Sequence, residues 1–262
     1  MSDLSDLAGI RQTIQTNARR LDPTSRYVHD LLATLAESSS ASDFEDRLDA
    51  GCRGLRHSGR DVFDQMTLEE KILANLITPE TSLFRFSEGE MEAIDRHLIP
   101  HLGKRKAEIL IVPCSHGEEA FTIASYFLKV GIDFGIRAFD IQPALIDEAR
   151  TGRLTFGYPL DYLASPGYVA RSVLDRITFE VGDAFALPLD RERFDLILCR
   201  NFVGYFVEEV ALDLVEKLHR RVASGGVLFL DGFCISKHPS LERHLTANGA
   251  VQLFDRPAFV AA

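Results

Sequence analysis

From residue 107 onward, short aliphatic and β-branched runs alternate with segments of helical period. The runs Glu108–Val112, Gly135–Phe139, Ile177–Val181, Phe194–Cys199 and Val227–Leu230 read as strands. The apolar spacing predicts helices over Glu118–Val130, Ala144–Arg150, Val207–Val222 and Pro239–Asn248. Strands that alternate with helices predict a parallel sheet with crossover helices, an α/β architecture. The tail VQLFDRPAFVAA predicts a final hairpin turning at Asp255–Pro257, which adds antiparallel strands at one side of the sheet. Residues 1–76 read as an all-helical N-terminal domain, with Leu31, Leu32, Leu35 and Ala36 on one helix face. Ser42 with Glu45, and Thr67 with Glu70, have the spacing of capping boxes. The expected organisation is a helical domain over 1–76, a linker over 77–106 and an α/β domain over 107–262. The block Thr151–Ser172, rich in Gly, Pro and Tyr, gives no firm prediction.

In open α/β sheets, ligands bind beyond the carboxyl ends of the strands. The first strand ends in the turn Cys114-Ser115-His116-Gly117, followed by Glu118 and Glu119. The second ends at Asp140, 23 positions past Gly117, a spacing at which a carboxylate commonly accepts from both hydroxyls of a ribose. The third leads to Asp183, and the fourth to Asn201 and Tyr205. Each has a plain alternative, Asp140 as a helix cap and Asn201 as a turn former. Four strand ends in succession suit a nucleoside. Neither GxGxxG nor GxxxxGK followed by Ser or Thr occurs, so no phosphate cradle is present in the sequence. S-adenosylmethionine carries no phosphate. A turn with one glycine, Gly117, and a helix N-terminus suit it.

The net charge of −10 disfavours a nucleic-acid backbone as partner. The four cysteines, Cys52, Cys114, Cys199 and Cys234, show no zinc spacing, no histidine pattern suggests a metal, and Cys114 and Cys199 are expected as buried, reduced thiols. The start MSDLSDLAGI has no signal-peptide pattern, and no apolar run approaches the roughly 20 residues of a membrane span. A cytoplasmic protein without membrane insertion is expected.

The stretches PETSLFR (79–85), CSHGEEAFTIA (114–124), AFDIQPALIDEARTG (138–152) and LCRNFVGYF (198–206) together resemble the chemotaxis receptor methyltransferase family, CheR type. The resemblance runs from about Leu73 to Leu230. It implies a class I S-adenosylmethionine-dependent methyltransferase fold, Rossmann-like with a mostly parallel seven-stranded sheet, behind a small helical domain. It implies glutamyl methyl esters formed on a chemoreceptor or related signalling protein, with S-adenosylhomocysteine as product. By the same resemblance Thr81 and Arg85 line the active site, Arg85 reaching the methionine end of the cofactor and the reacting carboxylate. Ser115 and Gly117 of the turn and Glu119 hold the cofactor, Glu119 at its amino group. Asp140 holds the ribose, Asp183 lies near adenine, and Asn201 and Tyr205 line the methyl-transfer pocket. Arg85 and Tyr205 are the expected catalytic residues, with Phe84, Phe202 and Phe206 as apolar walls.

The chain departs from the family pattern at Pro79, Leu83, Leu154, Gly204 and the stretch DGFCIS (231–236), and its block Arg150–Ile177 is short. Residues 1–76 hold nine Lys/Arg against thirteen Asp/Glu, a balance that repels an acidic receptor helix unless the charges segregate. Two other readings therefore stay open. One is a cofactor-binding sensor or scaffold with weak catalysis. The other is a methyltransferase for a different carboxylate acceptor.

Overall fold

A computed structural model describes residues 4–19, 21, 26–51, 67–77, 88–154, 163–165, 167–189, 192–230, 235, 237–247, 251–252 and 258–260. The chain divides into two compact units, Met1–Thr81 with Tyr205–Val210, and Ser82–Gly204 with Ala211–Ala262.

The first unit is built on α1 (Leu7–Ala18), α2 (Arg26–Glu37), α3 (Ala41–Gly51) and α4 (Leu68–Ile77). Ile10, Ile14, Leu31, Leu35, Phe44, Leu48, Ile72 and Leu76 are among its buried apolar residues. Ala36, expected on the same face as Leu35, is exposed. The Thr67 box forms as predicted. The Glu70 N–H donates to Thr67 Oγ1 at 3.3 Å, and Glu70 Oε2 accepts from the Thr67 N–H at 2.7 Å. The Ser42 box does not form. The helix begins earlier, with Ser40 Oγ accepting the Asp43 N–H and Asp43 accepting from the Ser39 N–H. Glu45 instead joins Asp49 around the buried Lys71 ammonium, at 2.8 and 3.0 Å. Serines at 40 and 42 both precede an acid by three residues, so spacing alone could not choose between them.

The second unit holds the sheet. Its long strands are β1 (Ala107–Ile111), β2 (Phe134–Asp140), β5 (Ile177–Val181), β6 (Phe194–Leu198) and β7 (Val222–Phe229), and short ones are β3 (Leu163–Ser165), β4 (Tyr168–Val169), β8 (Val251–Gln252) and β9 (Ala258–Val260). Seven of these make one sheet in the order β5-β2-β1-β6-β7-β9-β8. β5, β2, β1, β6 and β7 run parallel, and β9 is antiparallel to both β7 and β8. This is the mostly parallel, seven-stranded, Rossmann-like fold expected. The central strand β6 is buried at all five positions, whereas the edge strand β5 carries exposed Thr178 and Val181. That contrast follows from coverage: strands covered on both faces read as continuous apolar runs. The turn expected at Asp255–Pro257 lies outside the described residues.

The connecting helices lie within a residue of their predicted bounds at most ends. A segment of α5 (Glu88–Ala93), a π-helical turn (Ile94–Leu98) and α6 (Ile99–Leu102) precedes β1, α7 (Glu118–Val130) follows it, and α8 (Pro143–Thr151) follows β2. After these come α9 (Arg171–Leu174), α10 (Glu208–His219) and α11 (Ser240–Ala247). Ala120, Phe121, Ile123, Ala124 and Phe127 bury one face of α7. Phe127 meets Phe134 edge-on at 5.6 Å, and Phe121 meets Phe179 at 5.8 Å.

β7 corrects one expectation. The helix before it stops at His219, and the strand starts at Val222, five residues ahead of the predicted Val227. The pair Gly225-Gly226 lies between the predicted helix and strand. It is a bulge inside the strand, where pairing steps from Phe194↔Val222 to Leu196↔Val227 and Gly225 has φ of 73°. His101 and His97 reach the bulge carbonyls of Ser224 and Gly225 at 2.9 and 3.3 Å. The block Thr151–Ser172, unreadable in sequence, contains the antiparallel β3–β4 ribbon, onto which Arg153 adds through a bridge to Tyr168.

Candidate functional site

The chain order β1, β2, β5 runs to one side of β1, and β6, β7 to the other. A crevice therefore opens between β1 and β6 at their carboxyl ends, the place where such sheets bind ligands. In spatial order the strand ends carry Asp183, Asp140, the Cys114–Gly117 turn, and Arg200 with Asn201.

The turn is tied to β2. The Cys114 N–H donates to the Phe139 carbonyl at 2.8 Å, and the Ser115 N–H to Asp140 Oδ2 at 2.9 Å. Ser115 and Gly117 both have left-handed backbone, with φ of 49° and 88°. Left-handed geometry costs a non-glycine residue on the order of 1 kcal/mol. At Ser115 the charge-assisted bond to Asp140 offsets that cost. At Gly117 no side chain fits, because a Cβ would lie 2.9 Å from the rings of both Phe121 and Phe179. The single glycine of the turn thus serves close packing as well as conformation.

Asp140 is 5% exposed. Its Oδ1 accepts the Gln142 N–H at 3.0 Å and its Oδ2 the Ser115 N–H. Burial pushes its pKa up to about 6, against the pull of the N–H groups of Gln142, Ser115 and Ile141. Each oxygen keeps acceptor capacity for one hydroxyl, so the carboxylate fits a vicinal diol. Burial, with Asp140 and Glu119 nearby, holds the Cys114 thiol well above its ordinary pKa. Cys114 and Cys199 are buried free thiols, as expected, while Cys52 and Cys234 lie outside the described residues.

On the other side of the turn, Glu119 and Arg200 stand 3.9 Å apart, with side chains 9% and 12% exposed. A carboxylate beside a guanidinium suits the ammonium and carboxylate of an amino-acid tail. Ile141 and Val181 are apolar yet 40% and 50% exposed, and they flank Asp140 and the loop to Asp183. They suit the faces of an adenine. Asp183 Oδ1 accepts the Phe185 N–H at 2.9 Å, which fixes that loop. Asn201 has φ of 52°, which asparagine tolerates. Among the described residues, no group of three or more His, Cys, Asp or Glu is arranged for a metal ion, and no helix is long and apolar enough to cross a membrane.

Residues 80–233 match the family model "CheR methyltransferase, SAM binding domain". The chain belongs to the CheR methyltransferase family. Its cofactor is S-adenosylmethionine, and the crevice fits it: a diol acceptor, an acid–base pair for the amino-acid tail, apolar flanks, and no phosphate cradle. One relative is the probable biofilm formation methyltransferase WspC of Pseudomonas aeruginosa, 28% identical over 180 residues, covering 62% of this chain and 43% of that protein. Another is a chemotaxis protein methyltransferase of Listeria monocytogenes, 26% identical over 185 residues, covering 64% of this chain and 70% of that one. The chain thus spans less than half the length of the first relative. Among solved structures, a TehB-like SAM-dependent methyltransferase from Corynebacterium glutamicum matches with TM-score 0.39 and 19% identity, covering 63% of this chain and 83% of that one.

Within this CheR-family chain, the fold brings Ser115, Gly117, Glu119, Asp140, Asp183 and Asn201 to one sheet edge. Thr81, Phe84 and Arg85 lie outside the described residues. Tyr205 closes a 3-10 turn (Val203–Tyr205) and falls with Phe206 in the segment grouped with the helical unit, where the Phe206 backbone bridges Leu21. Arg200, Ile141 and Val181 are not among the site residues expected from the sequence. An arginine directly after an apolar strand was the available signal for the first. The apolar pair becomes visible only through exposure.

Proposed function

We propose that this chain transfers the methyl group of S-adenosylmethionine to a carboxylate side chain of a signalling protein, forming a glutamyl methyl ester. Family membership supports methyl transfer, and the relatives named for chemotaxis support a protein acceptor in signalling. The carrying observation is the crevice itself, with Asp140 and the Glu119–Arg200 pair at adjoining strand ends. The bound cofactor supplies an electrophilic methyl group. A carboxylate is already an anion at neutral pH, so the chain need not provide a strong base. Its work is alignment and exclusion of water. Arg85 would aim the acceptor carboxylate, and Tyr205 would line the pocket.

The helical unit supports a protein partner through its charge layout. Between Asp6 and Asp22 there is no acid, while Arg11, Arg19 and Arg20 fall there. Arg11, Gln12, Gln15 and Thr16 on α1 and Arg19 at its C-cap are exposed, opposite buried Ile10, Thr13 and Ile14. The acids of the unit concentrate from α2 onward, so an acidic helix can meet α1 without facing the net charge. A cytoplasmic location follows from such a partner.

The second reading, a cofactor sensor with little catalysis, is favoured by Pro79, Leu83 and the altered 231–236 stretch. Transfer of radiolabelled methyl to host membranes and lysate separates the two. Base-labile label on a receptor-sized band, lost in Arg85→Ala and reduced in Tyr205→Phe, is expected. A protein that binds S-adenosylhomocysteine yet labels nothing favours the sensor.

A further inference from the structure

Gln142 occupies the N-cap position of α8, two residues past Asp140, with extended backbone at φ −97° and ψ 111°. Helices usually place Ser, Thr, Asp or Asn there, so that a short side chain satisfies a first-turn N–H. Gln142 makes no such bond. Pro143 follows at the first helical position, where it removes one of the donors a cap would serve. The side chain is therefore not explained as a cap. Nor is it a solvated surface amide, because Gln142 is only 4% exposed.

Its Oε1 is sealed from solvent and has no hydrogen-bond partner among the described residues. Buried amide oxygens are nearly always satisfied, and an unmet one calls for a reason. The main chain of the same residue supplies a location. Its N–H clasps Asp140 Oδ1 at 3.0 Å, while Ser115 clasps Oδ2 at 2.9 Å. The unmet acceptor thus belongs to the residue that holds the diol-binding carboxylate in place. Each Asp140 oxygen serves one N–H and keeps capacity for one hydroxyl, and an unmet amide carbonyl two residues along the chain adds a third acceptor for a diol seated there.

We propose that Gln142 is a ribose-reading residue: its side-chain carbonyl accepts one hydroxyl of the cofactor's ribose, and Asp140 takes the other. Three rotatable bonds let Oε1 turn onto a hydroxyl seated against Asp140. That turn also relieves the unmet acceptor, which favours the bound arrangement. The assignment rests on the crevice being the cofactor site, and it adds a contact that a purely structural glutamine would not make.

The test is a ligand-by-mutant cycle. Affinities of the full chain for S-adenosylhomocysteine and its 2′-deoxy and 3′-deoxy forms are measured by calorimetry, for wild type, Gln142→Met and Asp140→Asn. Methionine keeps the volume and the apolar stem but removes the amide. Wild type should bind one deoxy form roughly tenfold more weakly than the parent through the Gln142 bond. That penalty should collapse to near onefold in Gln142→Met, while the penalty for the other deoxy form persists there and shrinks in Asp140→Asn. If Gln142→Met weakens all three ligands equally, or changes only thermal stability, Gln142 is a packing residue and the proposal is overturned. If wild type binds none of the three, the cofactor assignment of the crevice fails with it.

Discussion

Asp140 shows how one buried group can set opposite pH trends for stability and for binding. Its pKa in the folded chain, about 6, lies above the ordinary carboxylate value of 3.8. Between those values the folded chain holds more protons than the unfolded chain. Stability from this group is therefore fully present below pH 4 and is lost as pH rises through 6, by roughly 3 kcal/mol. Thermal melts of the free chain across pH 4–7 should show this downward component in wild type and lack it in Asp140→Asn. Binding runs the other way. If Asp140 holds the ribose diol, the diol donates to the ionised carboxylate, so affinity for S-adenosylhomocysteine should weaken as pH falls below about 6, with a flat profile and at least tenfold weaker binding at pH 7.5 in Asp140→Asn. Gly117 carries a simpler expectation. Gly117→Ala forces a Cβ to within 2.9 Å of two phenylalanine rings at a φ of 88°, and should cost about 2 kcal/mol or more in denaturant unfolding. A loss under 0.5 kcal/mol would mean that the turn relaxes freely.

At the scale of elements, the two capping sites give the sharpest contrast. Thr67→Ala and Ser40→Ala should each cost about 1 kcal/mol, whereas Ser42→Ala should stay within about 0.5 kcal/mol, because Ser42 is exposed and outside the cap. Equal effects at Ser40 and Ser42 would contradict the observed helix start. The same pair illustrates what could be read in advance. Local periodicity located β1, β2, β5, β6, α7 and α8 closely, since each is a long regular run. Local chemistry misjudged Ser42 and the start of β7, because both depend on neighbours distant in sequence, such as Lys71 for Glu45 and His101 for Gly225. The site divides in the same way. The shared placement of Asp140, Asp183 and the Ser115–Gly117 turn was legible because strand ends in a parallel sheet share one edge. The partnerships of Arg200 with Glu119 and of Ser115 with Asp140 needed three dimensions. So did the exposure of Ile141 and Val181 and the burial of Gln142.

For the whole molecule, net charge misleads about the surface a partner would meet. The chain carries −10 overall, and residues 1–76 hold four more acids than bases. Averaged over the surface, that field would oppose an acidic receptor helix and lower its encounter rate. The field near a surface is set by the closest charges, however, since screening reaches only about 8 Å at physiological ionic strength. Within that range α1 presents Arg11 and Arg19 with glutamines between them and no acid of its own. If this face receives the acceptor, Arg11→Glu combined with Arg19→Glu should raise KM for the protein acceptor roughly three- to tenfold and flatten its dependence on salt. The affinity for S-adenosylhomocysteine and kcat at saturating acceptor should stay unchanged if the arginines act on the acceptor alone. A small carboxylate acceptor would be indifferent to the reversal. Unchanged KM with an acidic protein acceptor would therefore remove α1 from recognition and shift weight to the reading in which the chain methylates another class of carboxylate.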